Sequence, residues 1–122
     1  DVPVHAENWY SYTKLLADGH VQLRSNNYLL IRSTHKAQPF THNKVFDQMG
    51  NFDYVSKIAA LMVKLVNNNA VGVFNVGTEA KSMRELALQT KKGVPTNYEF
   101  RPPTMPYNTT MNINKMKTFL NL

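Results

Sequence analysis

Tyr28-Leu29-Leu30-Ile31 and Val71-Gly72-Val73-Phe74-Asn75-Val76-Gly77 are the two stretches on which the fold turns. Each is a short, nearly continuous apolar run closed by polar or glycine residues, the pattern of a strand buried on both faces. Strands of that kind belong to parallel sheets covered by helices, and helical patterns do flank them. Tyr10 to Asn26 carries Leu15, Leu16, Val21 and Leu23 without a proline and stops at the Asn26-Asn27 break. Asp53 to Val66 sets Val55, Ile58, Ala59, Met62, Leu65 and Val66 on one stripe, and Asn67-Asn68-Asn69 ends it. Ser82 caps a further helix over Met83 to Thr90, with Glu85 three residues on completing a capping box. Ile113 to Leu120 reads as a short amphipathic helix. Between these elements, His35 to Asn51 is expected to be a loop with one helical turn near Lys44 to Gln48. Tyr98-Glu99-Phe100 is expected to be an edge strand cut off by Pro102-Pro103. Helix, strand, helix, strand, helix gives the fold class: α/β, with a mostly parallel sheet. Two strands and a third short one are few for such a sheet, so the chain reads as part of a larger α/β fold.

The chain has 122 residues, 43% of them hydrophobic and 18% charged, which suits one globular domain over residues 1–122. No apolar run approaches the length of a membrane span, and the opening DVPVHAENWY lacks the pattern of a signal peptide. With no cysteine, disulfides, thiolate nucleophiles and cysteine-bound zinc are excluded, and a reducing, cytoplasmic setting is the expectation. Fourteen basic against eight acidic residues give a net charge of +6, which favours anionic partners. The basic residues are scattered, and neither an RNP-like nor a helix-turn-helix signature is present, so no specific nucleic-acid site is expected. His5, His20, His35 and His42 have no metal-ligand spacing, and no metal site is expected.

The chemistry begins at Tyr10-Ser11-Tyr12-Thr13-Lys14. On a helix, positions i and i+4 share a face, so the Tyr10 phenol and the Lys14 ammonium can serve one pocket. A cation beside a phenol favours the phenolate, which makes a proton donor and acceptor for interconverting a carbinol and a carbonyl. Ser33, Thr34 and His35 follow the first strand at its C-terminal end, where parallel sheets place ligand contacts.

Asn8-Trp9-Tyr10-Ser11-Tyr12-Thr13-Lys14-Leu15-Leu16-Ala17-Asp18 resembles the N-x-Y-G-x-(S/T)-K-L-x-x-E helix of the extended short-chain dehydrogenase/reductases. It is most similar to the sugar-nucleotide branch that includes the dTDP-4-dehydrorhamnose reductases and the NAD-dependent epimerases and dehydratases. Further motifs of that family follow in its order. They are Tyr28 to Ser33 with its Ile-Arg, the loop from Gln38 to Lys44, Tyr54-Val55-Ser56-Lys57-Ile58-Ala59, and Gly72-Val73-Phe74-Asn75-Val76-Gly77. Ser82-Met83-Arg84-Glu85-Leu86-Ala87 and the closing segment from Met111 to Lys117 complete the series. The resemblance implies the C-terminal part of a Rossmann-like enzyme using NAD or NADP on a nucleotide-linked sugar. It implies Tyr10 as general acid/base and Lys14 as the residue that tunes it and holds the nicotinamide ribose. Ser33 and Thr34 would be cofactor contacts, and His35, Phe40 and Lys44 substrate contacts.

Departures from the family pattern matter equally. The five glycines, Gly19, Gly50, Gly72, Gly77 and Gly93, form no glycine-rich phosphate turn, so the N-terminal dinucleotide-binding β-α-β unit is absent from this sequence. Lys57 stands where the family usually has an acid, and Met105 where many relatives have an arginine. The chain by itself is therefore expected neither to bind NAD(P) nor to turn over. Its expected partners are a second copy or a separate N-terminal half. The alternatives are a non-catalytic binding or assembly module of the same fold and, further off, a basic nucleic-acid-binding domain.

Overall fold

The structure is a computed structural model and describes residues 6–97 and 101–122. The expected edge strand at Tyr98-Glu99-Phe100 lies outside the described residues. The fold is α/β, and its order is helix α1 (Trp9–Arg24), strands β1 (Leu29–Ser33), β2 (His35–Lys36), β3 (Val45–Phe46), β4 (Met49–Gly50) and β5 (Asp53–Tyr54), then helix α2 (Val55–Asn67). Strands β6 (Gly72–Val76) and β7 (Lys81–Ser82), helix α3 (Met83–Leu88), strands β8 (Thr96–Asn97) and β9 (Asn108–Thr109), and helix α4 (Asn114–Leu120) follow.

The two apolar runs pair with each other as parallel strands, from Leu29 opposite Gly72 to Ser33 opposite Val76. Gly72 begins β6 at φ +100°, a conformation that disfavours a side chain, while its N–H donates to the Tyr28 carbonyl at 2.7 Å. Phe74 and Val76 of β6 are buried as expected, whereas β1 is half-buried along its length. Phe74 and Val76 pack with Ile58 and Leu65 of α2 and with Ile113 and Met116 at α4. A second cluster holds Phe40, Val45, Phe52 and Tyr54 against Met83, Leu86 and Ala87 of α3.

The structure corrects two expectations. The segment from Lys44 to Gln48 contains no helical turn. Its backbone bonds go to distant partners: β3 pairs with β8, the Met49 N–H donates to the Tyr107 carbonyl at 2.8 Å, and the Met83 N–H to the Gln48 carbonyl at 2.9 Å. Second, the buried stripe of α2 runs through Ile58 and Leu65 with Leu61 and Met62 beside it, while Val55, Ala59 and Val66 face outward. Apart from these corrections, α1 buries none of its residues, and its Leu16 and Leu23 are exposed.

Local sequence accounts for the helix ends. Asn8 Oδ1 accepts the Ser11 N–H at 2.8 Å and starts α1. Ser82 Oγ accepts the Glu85 N–H at 3.1 Å and starts α3, which is the serine's half of the expected capping box. The asparagine run closes α2 through Asn69, which takes the left-handed conformation that asparagine tolerates.

The short strands are tied together by two buried polar residues. Asn51 Nδ2 donates to the Thr78 carbonyl at 2.9 Å, and its Oδ1 accepts the Met111 N–H at 2.5 Å. Gly77 leaves room for this contact, since a Cβ there would lie 2.4 Å from the Asn51 carbonyl oxygen. Asp53 accepts from the Tyr54 N–H and from Thr78 Oγ1, both at 2.7 Å, and faces Lys81 Nζ at 3.4 Å. Burial by itself would push the Asp53 carboxyl up. The Thr78 and Tyr54 hydrogen bonds and the ammoniums of Lys81 and Lys57 outweigh it and hold the carboxyl below its ordinary value.

Candidate functional site

A cleft of about 690 Å³ opens between α1 and the C-terminal end of β1. From α1 come Tyr10, Ser11, Lys14, Leu15 and Asp18. From β1 and the turn after it come Arg32, Ser33, Thr34 and His35, and Thr109 and Met111 close the far wall. The helix brings in Tyr10 and Lys14 because they are four residues, about one turn, apart. Lys14 Nζ lies 5.5 Å from the centre of the Tyr10 ring, and Tyr10 is 71% exposed. The parallel pairing with β6 runs to Ser33 opposite Val76; Thr34 follows, and His35 begins β2 opposite Asp53.

Five of the seven candidates thus line one cleft. Phe40 and Lys44 stand elsewhere. Phe40 is buried in the second cluster, with its ring edge against His42 at 5.6 Å. It also walls a smaller hollow of about 380 Å³ with His35, Lys36 and His42. Lys44 lines a third, of about 170 Å³, beside Phe40 and Met105. His35 is the residue shared by the large cleft and the 380 Å³ hollow.

Asp18, Arg32, Thr109 and Met111 were not among the candidates drawn from the sequence. Arg32 Nε donates to Asp18 Oδ2 at 2.9 Å, so these two charges offset each other. Lys14 is then, among the described residues lining the cleft, the cation without an acidic partner, which suits an anionic ligand. The sequence placed Asp18 on the face of Lys14, four residues on, but held no signal for its pairing with Arg32 fourteen residues away. Thr109 and Met111 had none, because their place depends on β9 pairing with β4, about 60 residues back in the chain.

Chemically, the cleft sets a phenol and an ammonium opposite two hydroxyls and an imidazole. That is a proton-transfer group, a positive charge and several hydrogen-bonding groups around one opening. Among the described residues no three potential metal ligands cluster, and no helix is long and apolar enough to cross a membrane.

No family model matches the sequence, and comparison with curated proteins finds no match. The fold that these elements define is nevertheless a known one: an α/β arrangement of Rossmann type that makes up about half of larger solved chains. One of these is Pal from Bacillus thuringiensis, with 18% identity and a TM-score of 0.68 over 98% of this chain and 49% of that one. Another is ADP-L-glycero-D-manno-heptose-6-epimerase from Helicobacter pylori, with 19% identity and a TM-score of 0.62 over 99% of this chain and 49% of that one. The chain spans about half the length of each, and the likeness is one of fold.

Proposed function

We propose that the chain is the C-terminal part of an extended short-chain dehydrogenase/reductase that acts on a nucleotide-linked sugar. The observation that carries this reading is the meeting of Tyr10 and Lys14 with Ser33, Thr34 and His35 in one cleft. The fold likeness to a heptose epimerase supports the same direction.

Lys14, Ser33 and Thr34 fit the ribose end of a dinucleotide. They bring an ammonium without an acidic partner and two hydroxyls at the C-terminal end of a parallel strand. When bound, NAD(P) supplies hydride transfer. The chain's own work is the proton. Tyr10 Oη gives a proton to the sugar oxygen as carbonyl becomes carbinol, or takes it in the reverse direction. Lys14 Nζ, on the same face of α1 as Tyr10, attracts the ligand's negative charge. His35 orients the substrate between the cleft and the hollow walled by Phe40, with Lys44 further along. The exposed apolar side chains of α1, Trp9, Tyr12, Leu16 and Leu23, support a covering partner, either a second copy or the remainder of such an enzyme.

The test is turnover of NADH and NADPH with a panel of nucleotide-linked keto-sugars by the polypeptide that carries this chain. Tyr10→Phe should lower kcat by about 10²- to 10⁴-fold. Turnover indifferent to Tyr10→Phe, or no turnover with any nicotinamide, would leave a non-catalytic module as the better reading.

A further inference from the structure

α1 carries the two residues on which the proposed proton transfer turns, yet it is loosely held. None of its residues is buried. Ser11, Leu15, Asp18 and Val21 are half-buried and fall at i, i+4, i+7 and i+10, so they form the stripe that faces the rest of the molecule. Asp18 is the charged member of that stripe. The other side-chain hydrogen bonds at α1 are local: Asn8 to the Ser11 N–H, and Thr13 to the Tyr10 carbonyl. Among the described residues, the contact between Asp18 and Arg32 is the side-chain hydrogen bond that joins α1 to the sheet. Arg32 itself is fixed in register, opposite Asn75 in the β1–β6 pair.

Leverage makes this contact matter. Asp18 lies eight residues along the helix from Tyr10, a lever of roughly 12 Å. A tilt of about 5° at Asp18 would carry Tyr10 about 1 Å, a displacement that can cost about 10²-fold in rate. We infer that the Asp18–Arg32 ion pair is the positioning contact that sets where α1 holds Tyr10 and Lys14 against the end of β1. Its catalytic meaning rests on the proposed function; the contact itself is testable without turnover.

The experiment uses Asp18→Ala, Arg32→Ala and the double variant. Trp9, the single tryptophan of the chain, is the first residue of α1, so its fluorescence anisotropy reports on that helix. Amide hydrogen exchange follows α1 against α2 and β6. Each single variant should speed exchange in α1 about two- to fivefold and lower the Trp9 anisotropy, while α2 and β6 stay unchanged. The double variant should go no further than either single one. Unchanged exchange in α1, additive effects in the double variant, or equal acceleration in α2 and β6 would overturn the inference. In the turnover assay, the same variants should lower kcat and hold KM within about twofold; a raised KM at unchanged kcat would also overturn it. Turnover insensitive to Tyr10→Phe counts against the proposed function alone, because the exchange result does not depend on it.

Discussion

Asp18 and Asp53 each face a basic side chain, in very different surroundings. The Asp53 side chain is 3% exposed, and it meets a threonine hydroxyl, a backbone N–H and the ammonium of Lys81, itself 13% exposed. Asp18 is 25% exposed and has one partner, Arg32, at 37%. Water screens the second pair and scarcely reaches the first, so similar chemistry supports two different degrees of order. One carboxylate belongs to the packed body, and the other holds a helix that carries candidate reactive groups on the outside.

The sharpest way to break this contrast is Asp53→Ala. Removing the carboxylate leaves the Lys81 ammonium without its counter-charge, although it keeps the Phe52 carbonyl and the Thr78 hydroxyl, and should cost about 3–5 kcal/mol in urea unfolding. Asp18→Ala should cost less than about 1 kcal/mol in the same measurement. A comparable loss at both sites would abolish the distinction. The Asp53 carboxyl also gives the contrast a pH dependence. Its folded-state pKa is depressed, so its contribution is complete above the unfolded value near about 4 and is lost as pH falls through the lower folded one. Unfolding followed from pH 6 downward should therefore show a steeper acid loss in the wild type than in Asp53→Asn.

Apolar positions should repeat the pattern. Leu65 is fully buried on the inner face of α2, and Leu65→Ala should cost about 2–5 kcal/mol in thermal or urea unfolding. A smaller loss, about 1 kcal/mol, is expected for Tyr54→Phe, whose hydroxyl donates to the Leu86 carbonyl at 2.6 Å and lies 2.6 Å from Thr90 Oγ1. Least of all should follow from Leu23→Ser on the outer face of α1, where the leucine is 81% exposed: within about 0.5 kcal/mol. If that variant unfolds the chain, the outer face of α1 is packed in solution.

The long elements were legible because their information is local. Period and caps are enough for α1, α2, α3 and α4, and apolar runs mark β1 and β6 as strands. The two-residue strands were not legible. Val45-Phe46 and Met49-Gly50 are extended because Pro95, Thr96 and Tyr107 supply their partners, and nothing near them in sequence announces it. The direction of a helix face was equally hidden. Val55 and Val66 look like core residues in a list of apolar positions, but α2 turns Ile58 and Leu65 inward instead. At the cleft, Tyr10 and Lys14 were readable from spacing, and Ser33, Thr34 and His35 from their place after a strand. Phe40 could not be told from a core aromatic, and it is buried in one. Asp18 and Arg32 needed the packing of α1 on β1, which only tertiary structure provides.

The central strand β4 bears on how the chain folds in time. It pairs on one side with β7, about 30 residues ahead, and on the other with β9, about 60 residues ahead. Asn51 beside it spans the same distance to Met111. Each closure spends loop entropy before any contact repays it, so a chain held by such pairings is expected to assemble more slowly than one built from local contacts alone. The three-stranded unit around Met49 and Gly50 is thus a slow joint: it ties segments far apart in sequence, and the time needed to assemble the chain is expected to carry that cost.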